Sequence, residues 1–357
     1  MNRLQLLDYG RFFAALIVVL FHYTFNGIVN GKISSIEHID WIIEITKYGY
    51  IGVEFFFMIS GYVVFFSAKN RSASQFIVSR AVRLYPAFWF AVLFTSITAF
   101  FWGKGEMSVT VMQVLSNLTL FAPSLGYSYV DGVYWTLQYE INFYILIFAM
   151  LFLGLQHRLE LFFMLWPILM IIALILEKNW LPFMGGYYSY FAAGALFAIA
   201  KNKPSRLILI LILITLCLCI NFSAGKAESL TLHKGVEYST YVMASLVLLI
   251  FTFFTFLNSK KGESLTLPYS FVLGGLTYPV YLIHAHFGYM FVSRYANEDN
   301  KVFIYMTCIG IVLAVAYLMH KLVEIKYASF WKRVFDYLLG APVRFISSKL
   351  VGRLLTK

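Results

Sequence analysis

Apolar runs of about 20 residues, the length that crosses roughly 30 Å of hydrocarbon as a helix, recur along nearly the whole sequence and leave no stretch for a soluble domain. In lipid each run has to satisfy its own backbone hydrogen bonds, and a helix does so within the segment. The fold class that follows is all-α, a polytopic transmembrane helical bundle. Spans are expected near residues 12–28, 49–67, 86–102, 134–153, 161–176, 187–200, 206–222, 238–257, 274–293 and 302–322, about ten in all. Only 13% of the residues are charged, against about 25% in a soluble domain. Any chemistry is therefore expected in or beside the bilayer.

Orientation follows from the basic residues. With a cytoplasmic N-terminus, 20 of the 28 Lys and Arg fall on the cytoplasmic side, as the positive-inside rule requires. N- and C-termini are then both cytoplasmic and odd-numbered spans run outward. The asymmetry accounts for the net charge of +11 without a nucleic-acid partner. The first run follows Asp8 and Arg11 and lacks a small-residue cleavage site, so an uncleaved span is expected. The sequence divides into a transmembrane domain, 1–323, and a basic amphipathic cytoplasmic tail, 324–357, whose Lys and Arg alternate with Phe, Trp and Leu. Such a tail suits the anionic cytoplasmic leaflet. Cys217, Cys219 and Cys308 lie inside apolar runs without metal-ligand spacing, so they read as core packing and no metal is expected.

Asp8, Arg11, Ala15, Val18 and His22 are spaced by three and four residues and share one face of the first helix. Arg11 to His22 rises about 16 Å, which places the imidazole past mid-membrane. An ionisable group at that depth is by default a functional candidate. Glu54, within GVEFFFMISGY, and Glu140, within YWTLQYEINFY, each lie roughly 8 Å below the outer end of their spans, at the depth of His22. Two carboxylates and an imidazole could form a base with an orienting acid, or a proton relay. On the opposite side Arg80 and Arg83, in FIVSRAVRLYPAFW, stand three residues apart before Pro86. Guanidiniums so placed, in the same leaflet as Arg11, suit phosphate.

These segments resemble the bacterial membrane acyltransferase-3 family. LDYGRFFAALIVVLFH resembles its first-helix pattern, GVEFFFMISGY its second-helix signature and RAVRLYPAFW its Arg-x-x-Arg-Leu-x-Pro loop. YWTLQYEINFY resembles its Trp-Ser/Thr-Leu-x-x-Glu segment, LTYPVYLIH its ninth helix, and Glu324 the acid closing its tenth; the signatures fall in family order from residue 8 to 324. Tyr9 and Gly10 stand where Gly-Leu is typical, and Thr136 stands for the usual serine, changes that bear on subfamily and acceptor.

The resemblance implies an O-acyltransferase of the bacterial inner membrane that moves an acyl group, commonly acetyl, from cytoplasmic acyl-CoA to a hydroxyl of a surface or exported carbohydrate. It assigns importance to Arg11, His22, Arg80 and Arg83. The expected mechanism has Arg11, Arg80 and Arg83 holding the coenzyme phosphates, and His22 serving as general base or acyl carrier. Glu54 or Glu140 would fix its tautomer, and Ser60, Tyr134, Trp135 or His284 would donate to the thioester oxygen or line the substrate. Asp8 and Glu324 are supporting residues. Expected partners are acyl-CoA, a carbohydrate acceptor and the bilayer. The rival is a proton-coupled transporter or glycan permease, in which the same His and Glu would relay protons; the missing internal repeat disfavours it.

Overall fold

A computed structural model describes residues 4–355, with the backbone alone for Glu106 and 350–355; residues 1–3 and 356–357 of the expected domains lie outside the described residues. Among the described residues all regular structure is helical. The main helices are α1 (Gln5–Phe21), α2 (Ile51–Lys69), α3 (Ala73–Trp102), α4 (Trp135–Phe152), α5 (Leu159–Ile175), α6 (Tyr188–Asn202) and α7 (Arg206–Lys234). They continue with α8 (Thr240–Leu257), α9 (Ser270–Ile283), α10 (Ala285–Tyr295), α11 (Lys301–Leu318), α12 (Ala328–Phe335) and α13 (Ala341–Leu355).

Among the described residues eight segments are long and apolar enough to cross a membrane. The sixth and ninth expected spans fall on shorter helices, α6 of 15 residues and α9 of 14, the latter interrupted at His284 before α10. Every residue of α6 from Tyr188 to Ile199 is buried, so protein, not lipid, surrounds it. Two expected boundaries move. The third span is expected from residue 86, but α3 begins at Ala73, where Ser72 and Gln75 form a capping box, and Pro86 is carried inside the helix. Residues 223–237 are expected as an outer loop, but α7 continues to Lys234 and stops at Gly235, whose φ of +65° is open to glycine. Hydropathy reports depth in lipid, and a helix that outruns the hydrocarbon keeps its backbone pattern after its side chains turn polar.

The chain forms two compact units: residues up to 29 with 38–66 and 158–277, and residues 30–37 with 67–157 and 278 onward. In the first, α2 is gripped through glycines. A Cβ on Gly49 would stand 2.4 Å from the Ile17 carbonyl oxygen, one on Gly61 2.0 Å from that of Phe191, and one on Gly194 1.9 Å from that of Met58. Such close backbone approach supplies the dispersion contact that holds helices together in lipid. In the second unit, Phe335 of α12 packs with Val78 and Ala81 of α3, flanked by Trp331, Tyr85 and Trp89. Phe330, Tyr337, Leu338 and Phe345 stay exposed.

Loop 30–37 of the second unit is tied down by Glu298. One carboxylate oxygen accepts the Glu37 N–H at 2.6 Å and the other the Lys301 ammonium at 2.6 Å. The hydrogen bond from Lys301, and then that from Glu37, hold the Glu298 carboxyl below the ordinary carboxylate range. A lowered folded-state pKa makes this anchor fully present above the ordinary range and lost as pH falls through the lowered value. Amide protection of residues 30–37 is expected to hold at neutral pH and to fall only once the pH drops below the ordinary carboxylate range. Glu298→Gln should show the weaker protection already at neutral pH, and the two proteins should converge in acid; equal protection at neutral pH would deny the anchor.

Candidate active site

The α1 stripe faces inward as its spacing requires: Asp8, Ala15 and Val18 are buried, and Arg11 and His22 half-buried. At its foot the Asp8 carboxylate lies 3.8 Å from the Arg11 guanidinium and fills the space beside Gly274, where a Cβ would come within 2.4 Å of it. At its head His22 opens a π-turn, His22–Asn26. Such an insertion widens the helix by one residue per turn and is frequent at functional sites.

The turn sets Asn26 against the imidazole. Asn26 Nδ2 lies 3.4 Å from His22 Nδ1, and Asn26 Oδ1 accepts from the Lys234 ammonium at 3.3 Å. An ammonium only donates, so the amide oxygen faces Lys234 and the NH₂ faces the ring. His22 Nδ1 is then the acceptor, and the neutral ring carries its hydrogen on Nε2. Nitrogen NMR of ring-labelled protein should find the Nε2–H tautomer, and Asn26→Asp, which offers only acceptors, should move the hydrogen to Nδ1. An Nδ1–H ring in the unchanged protein would overturn the assignment.

Glu54 is wholly buried in the first unit, and its Oε1 accepts from Lys226 of α7 at 2.6 Å. The ammonium also sits 4.1 Å from the ring centre of Tyr50 and 4.9 Å from that of Tyr187, a cation between two aromatic faces. Glu54 Oε2 has no hydrogen-bond partner among the described residues. Ser60 is buried farther along α2. Within this unit the structure thus gives Glu54 a lysine and gives His22 Nδ1 an asparagine.

The remaining expected residues belong to the second unit. Arg83 lies 3.6 Å from Glu324 and 5.3 Å from the Tyr278 ring centre. Arg80 covers Phe76 and Tyr144, at 5.8 and 5.5 Å, and donates to Ser67 Oγ at 3.3 Å. The Tyr144 hydroxyl donates to Glu140. Glu324 is brought inward by a second π-turn, Met319–Lys326, and meets His320 Nδ1 at 2.6 Å. Both guanidiniums are half-buried and stacked on aromatic rings.

Farther along the same unit Tyr134 is fully buried against Phe88, ring centres 5.0 Å apart, while Trp135 is half-buried beside Tyr139. His284 is buried, its Nδ1 donating to the Tyr281 carbonyl at 2.8 Å. Four residues at the described sites escape the sequence reading: Asn26, Lys226, Lys234 and Asp131. Asp131 is wholly buried and accepts the Val133 N–H at 3.2 Å and the His286 N–H at 2.9 Å, joining the start of α4 to α10. Its signal is local, an aspartate just ahead of a helical run. Among the described residues no group of three His, Cys, Asp or Glu could hold a metal ion.

A family model described as an acyltransferase domain matches residues 4–321. Among known proteins, the exopolysaccharide production protein ExoZ of Rhizobium meliloti (strain 1021) is 32% identical over 119 residues, which cover 31% of this chain and 37% of that relative. The matched stretch therefore spans little more than a third of that protein's length. No solved structure matches the chain.

Proposed function

Since the chain belongs to the acyltransferase-3 family, we propose that it is a membrane O-acetyltransferase that moves acetyl from cytoplasmic acetyl-CoA to a hydroxyl of an exported polysaccharide. The observation that carries the reading is His22, an ionisable ring within a membrane span, held by Asn26 and Lys234 at a π-turn in a chain that matches the family over nearly its whole length. The ExoZ relative, a protein of exopolysaccharide production, supports a glycan acceptor. The two termini lie on the cytoplasmic side of the inner membrane, and the outward apolar residues of α12 and α13 rest on that leaflet.

In this reading the sugar hydroxyl oxygen attacks the thioester carbonyl carbon. His22 takes the hydroxyl proton on Nδ1, where the sugar hydroxyl replaces the long 3.4 Å contact from Asn26, the C–S bond breaks, and the proton passes to the departing coenzyme A thiolate. Arg80 and Arg83 of the second unit bind coenzyme phosphates, Arg83 oriented by Glu324 and Arg80 by the ring of Tyr144, whose hydroxyl meets Glu140; in the first unit Arg11 is a supporting cation beside Asp8. Glu54 is a supporting residue, committed to Lys226. Ser60 in the first unit, and Tyr134, Trp135 and His284 in the second, are further proposed groups of the substrate path that offer donors to the carbonyl oxygen.

Incubation of purified protein with radiolabelled acetyl-CoA and a polysaccharide acceptor is expected to consume thioester and place label on the glycan as an alkali-labile ester. Substrate flux without thioester consumption would favour the transporter. Arg80→Gln and Arg83→Gln should each weaken acetyl-CoA binding by about 1.5–3 kcal/mol, the range of a charge-assisted hydrogen bond. Unchanged binding in both variants would remove the arginines from the donor site.

A further inference from the structure

The second unit contains a cleft of about 470 Å³ that none of the chemistry above uses. Its wall brings three cations together, Lys32 from loop 30–37, Lys104 just after α3 and Arg294 of α10, with the indole of Trp102 and the polar groups of Asn30 and Ser293. The volume falls within the range of about 300–1,000 Å³ typical of small-ligand sites. No carboxylate lines it among the described residues.

The cleft is built and not a chance meeting of surface lysines. Lys32 Nζ lies 3.2 Å from His286 Nε2 and 5.8 Å from the Tyr289 ring centre, and the Lys32 carbonyl accepts from Ser293 Oγ at 2.8 Å. His286 Nε2 shares its one lone pair between Lys32 and the Gly132 N–H at 3.3 Å, so the imidazole sits between the two. Trp102 is set by Tyr295 and Phe291, ring centres 5.9 and 6.2 Å away. On the rim Gly31 and Gly105 turn at φ of +68° and +53°, and a Cβ on either would meet nothing within 4 Å. The rim is open at both turns.

We propose that this cleft seats an acidic sugar residue of the acceptor polysaccharide, its ring face on Trp102 and its carboxylate among Lys32, Lys104 and Arg294. The inference rests on the polysaccharide reading and deepens it by naming the acceptor's charge class. Aromatic faces carry sugar C–H surfaces, and converging cations select an anion. A phospholipid headgroup would share the anion but would also need an aliphatic wall for its chains; among the described residues the apolar lining beside the Trp102 indole is two methionines, Met107 and Met290.

The test is direct binding of trigalacturonic acid to the full chain in nanodiscs, against its carboxyl-reduced neutral counterpart, in zwitterionic lipid and in lipid containing phosphatidylglycerol. The acidic trimer should bind at least tenfold more tightly than the neutral one. Lys104→Gln with Arg294→Gln should erase that preference, Lys104→Arg should keep it, and Trp102→Ala should weaken both ligands. Equal binding of the two trimers overturns the proposal, as does loss of acid binding whenever phosphatidylglycerol is present, which would make the cleft a headgroup site. Acid-selective binding without any acetyl transfer would sink the enzyme reading and leave this site standing. Transfer to a neutral glycan without acid selectivity would do the reverse.

Discussion

His22→Ala is expected to lower acetyl transfer by roughly 10²–10⁴-fold, the range supplied by a positioned general acid or base, while acetyl-CoA binding and membrane insertion stay as they were. The expectation follows from the position of the ring: half-buried at the head of an inward-facing stripe, with Nδ1 facing Asn26. His22→Gln keeps a polar side chain of similar reach but cannot gain and lose a proton near neutral pH, so it should fall as far. Turnover within tenfold of normal in a correctly inserted His22→Ala protein would remove His22 from the reaction. Asn26→Asp separates position from chemistry. It keeps a side chain of the same shape against the ring but reverses the hydrogen-bond polarity, so turnover should change while donor affinity does not.

The sequence carries the helical class and the polar groups inside the helices, because both are properties of single segments. The inward face of α1 was readable from the spacing of Asp8, Arg11 and His22, since helix periodicity alone puts them on one stripe. The capping box at Ser72 and Gln75 was equally local, and it marks the true start of α3 thirteen residues ahead of the apolar signal. What a single segment does not contain is its partner. Lys226 lies 172 residues from Glu54, and Lys234 lies 208 from Asn26. Both read as ordinary charges of an outer loop because the apolar run of α7 ends before them. The matched depth of Glu54 and His22 pointed to an acid beside a base, whereas depth says nothing of azimuth. The azimuth of α2 is set by close approach at Gly49, Gly52 and Gly61, and it turns Glu54 toward α7.

That pairing makes Lys226→Met the substitution with the largest expected effect on stability. It strips the cation from a carboxylate with no exposure, and removing one partner of a buried ion pair costs about 3–5 kcal/mol. Tyr50 and Tyr187 would lose the cation between their rings as well. Glu54→Gln alone should cost less, because the amide oxygen still accepts from Lys226, although the ammonium then lacks its counter-charge. Joining Glu54→Gln to Lys226→Met removes both charges together, and a buried pair replaced as a unit is often neutral or stabilising. The double variant should therefore unfold within about 1.5 kcal/mol of the unchanged protein, the scale of a volume-conserving swap, and should still transfer acetyl, since neither residue holds the reacting proton in this reading. Thermal unfolding in detergent and the radiolabel assay on the same samples decide the matter. A double variant as unstable as Lys226→Met would mean that the cost lies in packing and not in the unpaired charge. A stable double variant without transfer would make Glu54 a participant in the chemistry, with its second oxygen, which no described residue occupies, as the atom that acts.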